Sequence, residues 1–237
     1  MNDERLYFRQ LLAGRDFAAD DPVAAQMVNF VYLVGDRTTG ECVAIDPAWD
    51  VRGLLDAAAA DGMRLVGALA THYHPDHVGG DLLGFAQVEG LPELLAAADV
   101  PVHCQRAEVE WITKTVDVPA SALVAHESGD RVKVGEVEIE LLHTPGHTPG
   151  SQCFRVAGRL LSGDTLFLQG CGRTDLPGGD KEEIWRSLHR RLAHLGDDVV
   201  LYPGHLYGPA GSATLGDTRS TNQVFRVRSL DDWLRLG

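Results

Sequence analysis

The stretch Leu65-Val66-Gly67-Ala68-Leu69-Ala70-Thr71-His72-Tyr73-His74-Pro75-Asp76-His77 joins an apolar run to a cluster of ionisable side chains. The apolar run over residues 65–70 predicts a buried β-strand. Gly79 and Gly80 follow the cluster, and two glycines let the chain leave through a tight turn. We therefore expect the cluster to lie on a loop at the end of a core strand, where a rigid scaffold commonly carries catalytic groups.

The three histidines and one aspartate within six residues form a candidate metal site. Neutral imidazole and carboxylate are the usual protein ligands of zinc and of non-haem iron. His72 and His74 are two residues apart, so in an extended segment they face the same side. Pro75 bends the chain before Asp76 and His77, so one segment can present two ligands to one point and two to a neighbouring point. Because the whole chain has ten histidines, this density indicates a metal site rather than a polar loop with chance histidines.

Length and charge limit the classes of protein and partner. A chain of 237 residues with 44% apolar residues suits one large layered domain, or at most two small ones, with a large core. The net charge of −13, from 34 acidic and 21 basic residues, repels phosphate backbones and anionic membranes. We therefore expect neither nucleic acid nor a membrane as partner, and solubility is the simplest role of the acidity.

The cysteines and the N-terminus bear on the cellular compartment. The four cysteines are scattered without a Cys-x-x-Cys pair, so neither a zinc knuckle nor a disulfide framework is indicated. Residues 1–5 are mostly charged or polar and lack the apolar core of a signal peptide. No apolar run approaches the length of a membrane span. These features favour a reducing cytoplasm.

The hydrophobic pattern predicts strands followed by helices, twice, over roughly residues 1–100 and 101–237. Packing two sheets together with helices outside would bury both apolar sets. The segments that later matter most are a strand over 6–12, a loop over 16–25, a helix over 51–60, a helical segment over 81–87 and an amphipathic helix over 180–195.

Three more polar residues follow predicted strands, each beside proline or glycine: His147, Asp164 and His205. Taken singly, the two histidines could be exposed turn residues, and Asp164 could cap a turn. Together with the first cluster they bring the ligand count to seven, enough for two metals that share a bridging carboxylate. Two-metal hydrolytic sites hold their ions roughly 3.5–4 Å apart.

This ordered set of seven ligands resembles the signature of the metallo-β-lactamase superfamily, over nearly the whole chain. The resemblance implies an α/β fold, an αββα four-layer sandwich of two mixed sheets flanked by helices, formed as one domain over residues 1–237. It implies that His72, His74 and His147 hold one metal, that Asp76, His77 and His205 hold the other, and that Asp164 bridges them. It also implies that Asp76 and Asp164 are the catalytic residues. The other histidines match no motif position and are expected to be structural or at the surface: His103, His126, His143, His189 and His194.

The segment after Asp164 is similar to two branches of the superfamily. Gly170-Cys171-Gly172-Arg173-Thr174-Asp175 resembles the persulfide dioxygenases, and Leu176-Pro177-Gly178-Gly179-Asp180 resembles short bacterial glyoxalase II-like hydrolases. Tyr207 matches a tyrosine near the glutathione site of both. Arg173 is expected either to orient a substrate carboxylate or to form a structural salt bridge. Only 32 residues follow His205, so we expect the C-terminal helical domain that clasps glutathione in glyoxalase II to be absent.

The preferred hypothesis is a metallo-hydrolase of the glyoxalase II-like branch, which cleaves a small-molecule thioester of the hydroxyacylglutathione type by attack of a metal-bridging hydroxide. Two divalent metal ions are expected, zinc first, with iron or manganese as alternatives. A mononuclear Fe(II) persulfide dioxygenase, which would need His72, His147 and Asp164, is the alternative hypothesis. A third is a non-catalytic binding module on the same fold. Whether the chain forms a homodimer stays open.

Overall fold

The computed structural model describes residues 4–236, so residues 1–3 and 237 of the predicted domain lie outside the described part. Two six-stranded sheets and one small hairpin account for the described strands. In chain order the strands are β1 (Leu6–Leu12), β2 (Phe30–Asp36), β3 (Glu41–Ile45), β4 (Arg64–Leu69), β5 (Gly80–Leu82), β6 (Ala86–Val88), β7 (Val102–Gln105), β8 (Leu123–His126), β9 (Arg131–Val134), β10 (Val137–His143), β11 (Gln152–Val156), β12 (Arg159–Gly163), β13 (Val200–Pro203) and β14 (Ala213–Thr214).

The α-helices are short and connect or cover these strands. They are α1 (Pro22–Met27), α2 (Val51–Ala60), α3 (Pro75–Val78), α4 (Leu91–Ala97), α5 (Val109–Thr115), α6 (Lys181–Arg186), α7 (Leu215–Thr221) and α8 (Leu230–Arg235). Among the described residues, no helix has both the length and the apolar character that a membrane crossing requires.

Both six-stranded sheets are mixed. The first has the order β1-β2-β3-β4-β7-β8, antiparallel from β1 to β3 and parallel from β3 to β8. The second has the order β14-β13-β12-β11-β10-β9, in which only β12 and β13 run parallel. The predicted mixed α/β fold is therefore confirmed.

The core has three layers of apolar side chains, as an αββα arrangement requires. One layer fills the space between the sheets and includes Val34, Leu69 and Ile139. A second lies under the helices on the first sheet, and a third lies under the helices on the second sheet. Strand β2 shows the alternation that creates two of these layers, since Leu33 faces the helices and its neighbour Val34 faces the other sheet.

Several predicted elements are confirmed and three need correction. Strand β1 and helix α2 have the predicted bounds. The predicted helix over 81–87 is wrong, because the residues flanking Asp81 pair as the hairpin of β5 and β6. The predicted helix over 180–195 is too long, because α6 ends at Arg186 and continues only as a π-helical turn over Ser187–Arg191.

The third correction is α1, which begins inside the predicted loop over 16–25 and ends two residues beyond it. Asp21 caps it by accepting hydrogen bonds from the amides of Val23 and Ala24, and Pro22 occupies its first turn. An aspartate followed by proline is a recognised helix start, so this signal was present in the sequence.

The two sheets approach closely at one edge, where β4, β10, β12 and β13 end. Gly163 has a φ of +48°, and a Cβ there would lie 2.6 Å from the Thr71 side chain. A Cβ on Gly204 would lie 2.4 Å from a carboxylate oxygen of Asp164. Only glycine permits these approaches, so the sequence brings the ends of these strands together at one place.

Candidate metal centre

All seven predicted ligands lie at this common edge, on four separate segments of the chain. Residues 72–77 follow β4, and the other three ligands follow β10, β12 and β13. All seven supply donor atoms to three compact, overlapping groups: His72, His74 and His147; His72, His77 and Asp164; and Asp76, His77 and His205. The fold thus gathers the complete set that the sequence singled out.

The first cluster consists of three imidazole nitrogens. His74 Nδ1 lies 3.0 Å from His72 Nε2 and 3.0 Å from His147 Nε2. Zinc bonds imidazole nitrogen at about 2.0–2.1 Å, which in tetrahedral geometry separates two such nitrogens by roughly 3.3 Å. The cluster is therefore close to the size that one ion needs.

The second cluster is a nearly equilateral triangle of donor atoms. Asp76 Oδ2 lies 3.3 Å from His77 Nε2 and 3.3 Å from His205 Nε2. The two imidazole nitrogens are themselves 3.3 Å apart. This spacing also matches three ligands around one tetrahedral ion.

Asp164 lies between the clusters. One carboxylate oxygen, Oδ2, is 3.4 Å from His205 Nε2 and 3.7 Å from His147 Nε2, which belong to different clusters. The other oxygen, Oδ1, is 3.4 Å from His77 Nε2 and is buried without a hydrogen-bond partner. A buried carboxylate oxygen with no donor is costly unless a cation lies beside it, so Asp164 suits a bridging ligand.

The outer nitrogens of the histidines fix their tautomers. Nδ1 of His147 lies 2.7 Å from the carbonyl oxygen of Arg173, and Nδ1 of His205 lies 2.8 Å from that of Met27. A carbonyl oxygen only accepts, so each Nδ1 carries the proton and each Nε2 directs a lone pair inward.

Asp46 orients two further histidines. It accepts at 2.8 Å from Nδ1 of His77, and it accepts the hydroxyl of Thr71 at 2.6 Å. Because the Thr71 hydroxyl donates to Asp46, it accepts from Nδ1 of His72 at 3.0 Å. Both histidines therefore also present an unprotonated Nε2 to the centre, as metal-ligating histidines do.

The electrostatics of the two clusters differ. Burial, together with the neighbouring histidines, holds the pKa of His72 well below its usual range and lowers that of His74 to about 3. In the second cluster burial opposes the charged forms, yet the carboxylates of Asp76 and Asp164 raise the pKa of His77 well above its usual value. The first cluster therefore presents neutral imidazole nitrogens, whereas the second contains buried carboxylates whose negative charge needs a cation nearby. A divalent ion at each cluster would suit both environments.

Glu108 holds together the two loops that carry the first cluster, and no motif in the sequence points to it. Its carboxylate is fully buried and accepts hydrogen bonds from the amide of Tyr73 at 2.8 Å, the hydroxyl of Thr148 at 2.7 Å and the amide of Gly150 at 2.6 Å. Burial raises the pKa of Glu108 to about 7. Tyr73 lies between two ligands and Thr148 follows a third, so one carboxylate fixes both loops.

Asn29 plays the corresponding part for the second cluster. Its amide nitrogen donates to the backbone carbonyl of Asp76 at 3.1 Å and to Asp76 Oδ2 at 3.0 Å. The two donor hydrogens thus hold both the main chain and the side chain of this ligand. Neither Asn29 nor Asp46 belongs to the motif that predicts the ligands, although Asp46 directly follows β3 just as the ligands follow their strands.

The two predicted substrate-binding residues line the cleft above the metal ligands. The exposed guanidinium of Arg173 forms two 2.6 Å hydrogen bonds with Asp175, which is the salt bridge foreseen as its structural role. The ring of Tyr207 stacks on that of His205, with centroids 4.7 Å apart and planes 7° from parallel. Both side chains remain available to a ligand at the cleft surface.

The cleft has a volume of about 810 Å³, within the range of small-molecule sites. Its floor is formed by metal ligands, among them His74, His147 and Asp164. Its walls are mostly apolar, and Lys114 and Arg173 are the cations that line it among the described residues. The apolar lining is formed by Met27, Leu82, Leu83, Phe85, Phe167, Leu176, Pro177 and Tyr207, with Cys171 beside them.

Comparison with known proteins agrees with this geometry. The family model of the metallo-beta-lactamase superfamily matches residues 26–205. The hydroxyacylglutathione hydrolase of Polaromonas sp. is 36% identical over 183 residues, which cover 76% of this chain and 62% of the relative. The mitochondrial persulfide dioxygenase ETHE1 of Homo sapiens is 30% identical over 206 residues, 82% of this chain and 70% of the relative. The crystal structure of ETHE1 from Myxococcus xanthus superposes with a TM-score of 0.76 at 28% identity, covering 98% and 92% of the two chains.

Proposed function

Because the chain belongs to the metallo-β-lactamase superfamily, we propose that it is a two-metal hydrolase that cleaves thioesters of the hydroxyacylglutathione type. The observation that carries the proposal is the second cluster, whose three donor atoms are each 3.3 Å apart and which shares Asp164 with the first. In a site for a single ion, these three residues would serve only as hydrogen-bond partners of the first cluster, and that role does not require three donor atoms spaced around one point. The likeness to a hydroxyacylglutathione hydrolase supports the same choice.

His72, His74 and His147 would hold one ion, and Asp76, His77 and His205 would hold the other. Asp164 would be shared between the two clusters. Such ions lower the pKa of water to near neutrality and polarise a carbonyl group. Asp76 and Asp164, which are buried, are the residues that orient the attacking water. The apolar walls of the cleft exclude other water and so strengthen these polar contacts.

No residue has to protonate the leaving group. Thiols have pKa values of about 8.5, so a thiolate leaves readily near neutral pH. The carrier thiol can be recognised separately. Lys114 and Arg173 line the cleft and could bind the carboxylates of a peptide-like thiol.

A mononuclear Fe(II) persulfide dioxygenase is the second candidate. It is favoured by the 30% identity with the human persulfide dioxygenase and by the TM-score of 0.76 with the Myxococcus protein. Two histidines and one carboxylate suffice for such an iron, and His72, His147 and Asp164 lie at the boundary of the two clusters. Cys171, part of the segment that resembles this branch, lines the cleft.

Metal content per chain, measured by elemental analysis of protein purified without added metal, distinguishes the candidates. We expect about two ions per chain and hydrolysis of a hydroxyacylglutathione thioester. About one iron per chain, with oxygen uptake on addition of glutathione persulfide and no thioester hydrolysis, would establish the dioxygenase instead. A folded protein that holds no metal even after reconstitution would overturn both.

A further inference from the structure

The hairpin of β5 and β6 carries unusually exposed apolar side chains at the mouth of the cleft. Leu82 and Val88 face the core, whereas Leu83 and Phe85 at the tip are 82% and 64% exposed. The described chain has six exposed large apolar side chains, and three of them, Leu83, Phe85 and Tyr207, line this one cleft. Exposed apolar side chains gathered in one place mark a binding surface rather than chance.

The hairpin has a fixed base and a shaped tip. A Cβ on Gly79 would lie 2.8 Å from the backbone of Gly90, so the two ends of the hairpin segment pass with no room for side chains. Gly79 directly follows α3, which contains Asp76 and His77. At the tip, Asp81 accepts from the amide of Gly84 at 2.5 Å. The tip is therefore held at a set position relative to the metal ligands.

We propose that Leu83 and Phe85 bind an apolar acyl chain of the thioester, and so select acyl groups with several methylene carbons over small polar ones; this inference rests on the proposed thioester hydrolysis. A small hydroxyacyl group would leave both side chains in water. The polar, anionic carrier thiol is suited to Lys114 and Arg173 instead, so the apolar tip is left for the acyl group. Each methylene of the acyl chain that is buried against Leu83 and Phe85 should strengthen binding roughly fourfold.

The test compares octanoylglutathione with acetylglutathione as substrates of the metal-loaded enzyme. We expect the wild-type kcat/KM to favour the octanoyl thioester by about tenfold or more, because several methylenes are buried. In the double variant Leu83→Ser/Phe85→Ser this ratio should fall by about tenfold. Val124→Ser, which changes an exposed apolar residue outside the cleft lining, is the matched control and should keep the wild-type ratio.

Binding of S-octylglutathione, a thioether that cannot be hydrolysed, provides a readout independent of catalysis. Titration calorimetry should show weaker binding to the double variant than to wild type. If thioesters are hydrolysed with no preference for chain length, or if the double variant keeps the preference, the inference fails while the proposed function stands. If no thioester is hydrolysed but S-octylglutathione binding depends on the tip, the proposed function fails and the apolar site stands.

A third measurement tests a competing role for the tip. If wild type is a dimer by light scattering and the double variant a monomer, with equal binding of S-octylglutathione, the exposed residues serve contacts between copies of the chain and the inference is overturned. Because both side chains are exposed, their replacement should leave the unfolding temperature close to that of wild type.

Discussion

The side chains of the metal centre are fixed by further contacts, whereas those at the mouth of the cleft above it are largely exposed. At the centre five of the seven ligands have a further contact that fixes them, such as the carbonyls behind His147 and His205 or the carboxylate of Asp46 behind His77. At the mouth Leu83 and Phe85 are mostly exposed, and the hydrogen bonds that the Arg173 side chain forms within residues 4–236 all go to its exposed neighbour Asp175. We therefore infer that the centre would determine the reaction and that the mouth would determine which molecules reach it.

Replacing Asp164 with alanine should break the centre most severely. The change removes the one carboxylate that contacts donors of both clusters. Loss of a group that merely supports a ligand typically costs 10–100-fold in activity, so loss of this ligand should cost more than about 100-fold. Initial rates and elemental analysis of the same sample check this. A variant that keeps wild-type turnover with two ions per chain would contradict the bridging role.

Glu108→Gln should damage the first cluster without touching a ligand. Glutamine keeps one acceptor oxygen but places a donor where the other oxygen was, so the amide of Tyr73 or that of Gly150 loses its partner. An unsatisfied buried donor costs about 1–3 kcal/mol in the free energy of unfolding. Metal affinity of the first cluster should fall about 10–100-fold, measured by chelator competition. Glu127→Gln, which changes an exposed side chain, is the control. Equal metal affinity in the two variants would show that Glu108 does not position the ligands of the first cluster.

Asn29→Ala should separate the two clusters. It removes both hydrogen bonds to Asp76 and leaves the first cluster untouched. We expect affinity for the second ion to fall about tenfold while the first ion stays bound, so that titration with metal gives two distinct steps. Occupancy of the first cluster is the internal control. Equal loss of both ions would show that Asn29 supports the whole edge of the sheet instead.

Arg173→Met should have the smallest effect, confined to the mouth. An exposed salt bridge contributes little to stability because solvent screens it, and the contact between Arg173 and His147 runs through the backbone carbonyl, which the change retains. KM for a glutathione thioester should rise less than about tenfold, with unchanged metal content. Arg155→Met, in an exposed pair with Glu140 on the second sheet, is the matched control. A large loss of bound metal in Arg173→Met would show instead that this side chain helps to position the metal ligands.

The ligands were predictable because each follows a strand in an ordered motif, and strands that end at one edge bring such residues together. The layered arrangement was predictable because β2 is continuously apolar from Phe30 to Val34, as a strand buried on both faces is, and because β10 begins with alternating apolar and acidic residues. Glu108 was not, since it is one acidic residue in a helical segment, and only the tertiary structure brings it to Tyr73 and Thr148. The segment over 81–87 forms a hairpin and not the predicted helix, because Gly80 and Gly84 adopt φ angles of +109° and +79°, which an α-helix does not contain.

The two clusters draw their ligands from both sheets. Residues 72–77 follow a strand of the first sheet, and His147, Asp164 and His205 follow strands of the second. No complete set of donors therefore exists until the two sheets have docked. We expect metal binding to come late in folding and to hold the two sheets together. Bound ions favour the docked chain over every partly assembled form. When metal is scarce, we therefore expect the packing between the two sheets to loosen first along this edge.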